Sequence, residues 1–209
     1  MKEIREIIRE RRSIRSYEEK PVPEQAIARI LEAARWAPSA LNHQPLRYIV
    51  VSDGNLIRDL SMRTIARAGK VIRWLPVLRL FKRTLRDAKL VDVMRERAAS
   101  TSGDPIFYRA PLLVLAVADR KGYHAETDLG YAAENMLLEA TAMGLGSCVI
   151  GFASLLNMDR QAGKILGIPR GSRILAGIVF GYPKSHPAPP QRREDCLINR
   201  IGQEPLFNI

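Results

Sequence analysis

Gly144-Leu145-Gly146-Ser147-Cys148-Val149-Ile150-Gly151 is the stretch on which the fold turns. Its glycine spacing superficially matches a dinucleotide-binding fingerprint, but the flanking pattern is reversed. Upstream, Leu129, Ala133, Met136, Leu137, Ala140 and Met143 keep near-helical spacing, and downstream Ser147 to Gly151 reads as a short strand. The fingerprint requires a strand before the glycines and a helix after them, so a Rossmann fold is rejected. The glycines instead end the helix, with Gly144 as its left-handed terminator, and let backbone approach a flat ligand. The amides of Ile150 and Gly151 would then lie near a ring edge. A tight helix-to-strand turn with no ligand fits the same residues.

Working outward, apolar runs at Leu46 to Val51, Pro111 to Ala118 and Arg173 to Tyr182 read as three further strands. Residues 2 to 11 read as an amphipathic helix carrying Ile4, Ile7 and Ile8 on one face. A second helix begins at Pro23, carries Ile27, Ile30, Leu31 and Ala34, and is stopped by Pro38. Asn157 is the expected cap of a helix running through Leu166 and ended by Gly167 and Pro169. Residues 55 to 105 read as a variable basic helical lid divided near Pro76. Pro183 to Pro190 cannot continue a helix or central strand, so 183 to 209 reads as an extended arm needing a neighbouring subunit.

Composition narrows the class. The chain has 209 residues, 46% of them hydrophobic, enough for one domain with a sizeable core. No apolar run is long enough to cross a bilayer, and the charged start Met1 to Glu6 lacks the apolar centre of a signal peptide. A cytoplasmic protein without membrane insertion is expected. Cys148 and Cys196 lack metal-ligand spacing and read as free thiols. The net charge of +11 would suit anionic partners, but no base-reading motif accompanies it, so nucleic acid is not expected.

Two segments suggest a ligand. Arg11-Arg12-Ser13-Ile14-Arg15-Ser16-Tyr17 offers forked, charged donors of the kind that recognise a phosphate, although the same arginines could simply complement a helix C-terminus. Pro38-Ser39-Ala40-Leu41-Asn42-His43-Gln44-Pro45 supplies a turn rich in small and polar residues. No HExxH, GxSxG, Walker A or clustered metal ligands appear, and the three histidines lack an obvious partner. An organic cofactor carrying the chemistry accounts for that pattern.

With Ala110-Pro111 before a strand, Gly144 to Phe152 and Gly181-Tyr182-Pro183, these segments resemble the FMN-dependent nitroreductase family. The resemblance implies an α+β fold: a central mixed, mainly antiparallel sheet flanked by helices, with the C-terminal arm exchanged in a homodimer. It implies FMN as cofactor and NADH or NADPH as electron donor. The reaction would be ping-pong hydride transfer through flavin N5 to a small-molecule acceptor such as a nitro compound or quinone. By the same resemblance, Arg11, Arg12, Ser13 and Arg15 would hold the phosphate and ribityl groups. Pro38, Ser39, Ala40, Asn42 and Gln44 would come from the other subunit, Ile150 and Gly151 would lie beside the ring, and Arg192 or Arg193 would return to the phosphate. Dehalogenation, flavin fragmentation, heterocycle oxidation or a non-enzymatic flavin-binding regulator are the alternatives on this scaffold.

Overall fold

The computed structural model describes residues 3–77, 86–100 and 103–185. Residues 186–209 of the arm expected at 183–209, with Arg192, Arg193 and Cys196, lie outside the described residues, as does part of the basic segment.

Strands β1 (Arg47–Val51), β2 (Leu112–Asp119), β3 (Gly146–Ile150) and β4 (Ser172–Gly181) form one sheet in the order β1-β2-β4-β3. Its ladders are all antiparallel, with a bulge at Ala116/Val117. The parallel element among the described residues is an isolated bridge between Ser13 and Ser147 of β3. Leu112 to Ala118 are all buried, because β2 is central and covered on both faces.

Side-chain alternation along β2 then sorts the core. Leu113, Leu115 and Val117 face Ile57, Leu60, Cys148, Ile150 and Leu156. Leu112, Val114 and Ala116 face the opposite layer of Ile27, Ile30, Met136 and Leu137. That second layer consists of α2 (Glu24–Arg35) packed on α5 (Ala125–Ala142), the expected central helix. It starts one turn before the apolar stripe, and Gly144 follows it with φ 74°, the left-handed conformation expected there.

On the first face, α3 (Gly54–Arg73) begins as core and ends elsewhere. Its Ala68 and Val71 meet Val91 and Met94 of α4 (Ala88–Ala99) in a separate cluster reached by Phe152 and Leu155. Asp53 starts α3 by accepting from the amides of Asn55 and Leu56.

The cap expected at Asn157 is corrected. A 3-10 segment, Gly151–Met158, follows β3, and α6 (Arg160–Ile165) starts three residues beyond Asn157 under Asp159, whose carboxylate accepts from Gln161 and Ala162. Asn157 cannot serve because its amide is engaged with β4. Nδ2 donates to the Ile174 carbonyl and Oδ1 accepts from the Ile174 amide, each at 2.8 Å. The first helix, α1 (Ile4–Glu10), forms as expected but buries none of its residues.

Candidate functional site

The site is built where the chain leaves α1. Residues 13–18 run as an extended strip clamped between β3 and the end of β4. Ile14 N–H donates to the Ser147 carbonyl at 2.9 Å, Glu18 N–H donates to Tyr182 at 2.8 Å, and Lys184 N–H donates to Ser16 at 3.2 Å. The buried Tyr17 closes the strip by donating its hydroxyl to the Ile14 carbonyl at 2.6 Å, and burial pushes that phenol well above its ordinary pKa. Gly146 is what permits the approach, since a Cβ there would lie 2.7 Å from Ile14 Cγ1. Period-two alternation then turns Ile14 inward and leaves Ser13 and Arg15 exposed on the outer side.

Around this strip the positive groups are incompletely neutralised. Arg11 Nε sits 2.9 Å from Glu134 of α5, an ion pair without hydrogen-bond alignment. Among the described residues Arg12 donates only to the carbonyls of Arg9 and Arg11, with its Nε buried and unpartnered, and Arg15 reaches only the Ser13 carbonyl, at 3.5 Å. Beneath them Ser147 Oγ is buried and unpartnered, and burial raises the Cys148 thiol pKa. Ile150 ends the same strand β3 and Gly151 opens the 3-10 segment after it, with open space where a Gly151 side chain would stand.

Tyr108 and Arg109 sit in a strained turn with φ of 59° and 53°. The buried Asp104 holds it by accepting from the amides of Ile106, Phe107 and Arg109. Arg97 of α4 lies over the Tyr108 ring, 5.3 Å from its centre.

The loop 38–44 lies apart from this group. It leads into β1, whereas Ile150 and Gly151 close β3 on the opposite edge of the sheet. Leu41, Asn42 and Gln44 adopt φ of 52°, 56° and 47°. Gln44 N–H donates to Ser39 Oγ, Gln44 Nε2 donates to Asn42 Oδ1, and Ala40 N–H donates to Asp128 of α5. No hydrogen bond or ion pair joins this loop to residues 11–15. Arg11 and Ala40 meet α5 at Glu134 and Asp128, about 9 Å apart along its axis. The structure thus groups Arg11, Arg12, Ser13, Arg15, Ile150 and Gly151, and separates from them Pro38, Ser39, Ala40, Asn42 and Gln44.

Sequence reading missed Asp104 and Asp128. Asp104 carried a signal, because an aspartate can accept from amides two and three residues on; Asp128 carried none, its partner being 88 positions away. A cavity of about 370 Å³ bordered by Glu19, Arg58 and Arg109 includes none of the residues expected to hold the cofactor.

Residues 8–182 match the nitroreductase family, and the chain belongs to that family. It is 32% identical over 190 residues to an NADH dehydrogenase of Thermus thermophilus, covering 87% of each chain. It is 28% identical over 210 residues to an FMN reductase (NAD(P)H) of Bacillus subtilis, covering 100% of this chain and 76% of the relative. Its fold is similar to that of a nitroreductase with bound FMN from Bacteroides fragilis. The TM-score is 0.78 at 26% identity, over 97% of this chain and 100% of that one.

Proposed function

We propose that the protein is an FMN-dependent oxidoreductase working as a homodimer, taking electrons from NADH or NADPH and passing them to a nitro compound, a quinone or a related conjugated acceptor. The observation that carries this reading is the exposed Arg15 beside the orphaned Arg12 Nε and Ser147 Oγ, on a strip fixed against the strand that ends at the open Gly151. That donor set suits an anionic, planar ligand.

In this reading Arg11, Arg12 and Arg15 hold the phosphate, Ser13 meets the ribityl chain, and the Ile150 and Gly151 amides border the ring. Bound FMN supplies a two-electron carrier able to exchange with a nicotinamide and with an acceptor, a chemistry that requires no side-chain nucleophile. The protein's part is to grip the charged tail, orient the ring and present cationic and amide donors where negative charge gathers. Ile4, Ile8, Leu41, Tyr131 and Val149 are exposed apolar surface among the described residues, which supports association with a second copy. In that dimer the 38–44 loop serves the partner's ring.

The test is FMN titration of the purified protein and of Arg11→Ala/Arg15→Ala, followed by NADH or NADPH oxidation with an acceptor panel. Loss of both guanidiniums removes about 3 kcal/mol or more of FMN affinity, roughly 150-fold or greater in Kd. A wild-type protein that stays colourless in excess FMN overturns the reading.

A further inference from the structure

The loop that this reading assigns to the partner's flavin is poorly propped by packing. Behind it lies a cavity of about 260 Å³, bordered by Trp36, Pro38, Ser39, Gln44, Tyr48 and Asp128. Leu41, the apolar residue best able to anchor the loop, is 83% exposed. Three of its residues hold left-handed φ values that neither proline nor glycine imposes, so something outside the loop must fix its course. The tether that crosses to the rest of the fold is the Asp128 carboxylate, only 2% exposed, which accepts the Ala40 amide at 3.2 Å.

Asp128 keeps its other oxygen buried without a hydrogen-bond partner, a costly arrangement for a residue whose role is only to support α5. Its place in the first turn of α5 does give it an ordinary structural task, since a carboxylate there complements the helix dipole. That task needs no contact with a loop 88 positions earlier in the chain.

We infer that Asp128 is a positioning residue for cofactor binding: through the Ala40 amide it sets the 38–44 loop in the conformation that the flavin of the partner subunit meets. The inference rests on the FMN homodimer reading above. Asp128 touches neither cofactor nor substrate; it acts by fixing where Asn42 and Gln44 stand.

The bond can be removed from either end. Asp128→Ala deletes the acceptor, and Asp128→Asn keeps an acceptor oxygen of the same reach. Ala40→Pro deletes the donor while leaving α5 intact. Proline is compatible there because Ala40 opens a 3-10 turn and Ser39 before it is extended, at φ −135° and ψ 150°. FMN Kd is measured for wild type, the three single variants and Asp128→Ala/Ala40→Pro, with hydrogen exchange of the 41–44 amides followed in cofactor-free protein.

The expected result is FMN binding about 10- to 100-fold weaker for Asp128→Ala and for Ala40→Pro, the loss set by one charge-assisted bond. The double variant is no weaker than the worse single one, since both remove the same bond. Asp128→Asn stays within about threefold of wild type, and exchange at 41–44 rises in both bond-deleting variants. Losses that multiply in the double variant, or wild-type Kd and exchange in either bond-deleting variant, overturn the inference. If Asp128→Ala does not fold, Ala40→Pro decides. If wild type takes up no FMN, the functional reading fails, and unchanged loop exchange in Ala40→Pro then overturns the tether separately.

Discussion

Replacing Gly146 by alanine tests whether the seat of residues 13–18 on β3 makes the cofactor site. The added methyl would stand 2.7, 2.8 and 2.9 Å from Ile14 Cγ1, Cβ and Cγ2. Carbon atoms pack at roughly 3.5–4.0 Å, so relief requires a displacement of about 1 Å. Rotation about χ1 of Ile14 cannot supply it, because Cβ itself is one of the clashing atoms; the strip must lift as a unit. A lift of that size stretches the Ile14–Ser147 bond from 2.9 Å to a length at which it no longer binds. Overpacking of this kind costs about 1–3 kcal/mol. The strip can shed that cost by detaching in the empty protein but not in the loaded one, so FMN affinity falls about 5- to 150-fold. Flavin fluorescence quenching reads the Kd, and a thermal melt shows the β2–β4 core essentially unchanged. Gly163→Ala is the control, since a Cβ there meets nothing within 4 Å and Gly163 is remote in sequence from the strip. Wild-type FMN affinity in Gly146→Ala would refute the seat as the origin of the site.

Two predictions concern the scaffold. The Asp159 carboxylate is held down to about pKa 2, first by the Arg67 guanidinium and then by the backbone amides of Ala162 and Gln161. A depressed folded-state pKa means its contribution is fully present above about pH 4 and is lost as the pH falls from about 4 through 2. Denaturant unfolding of Asp159→Asn therefore shows a loss of about 1–3 kcal/mol at neutral pH that shrinks across that acid window; a difference independent of pH would contradict the pairing. Gly69, inside α3, has open space at its Cβ position and no positive φ, so Gly69→Ala raises stability by about 0.5–1 kcal/mol, measured by the same unfolding curves, and a lower stability would show hidden crowding.

Much of the fold is legible because local pattern and tertiary position agree. The run through Leu113, Val114, Leu115 and Ala116 has no polar alternation because β2 is buried on both faces, and Gly144 stands where its φ of 74° is needed. Asn157 and Asp159 show where such reading stops. Both are competent helix caps two residues apart, and the choice falls to Asp159 only because Ile174, 17 positions on, occupies the Asn157 amide. No local rule contains that competition. The α1 face of Ile4, Ile7 and Ile8 is apolar as its spacing indicates, yet none of the three is buried, because periodicity reports that a face is apolar, not what covers it.

The candidate site divides along the same line. The strip 11–15 and the end of β3 could be paired from sequence because each carries its own chemistry, guanidiniums in one and glycine in the other, and both contribute to one edge of the sheet. The 38–44 loop carries chemistry as well, but its place depends on sheet order and on Asp128, and neither is encoded nearby. Sheet order makes the consequence concrete. One chain sends the loop into β1 and ends β3 at Ile150, at opposite edges, while α5 meets the loop at Asp128 and the arginine strip at Glu134. In the proposed dimer, α5 therefore does two jobs at once: Glu134 steadies the arginine strip of its own subunit, while Asp128 aims the loop that serves the other. A change in α5 that leaves its apolar stripe intact can then weaken cofactor binding in the partner without unfolding either chain.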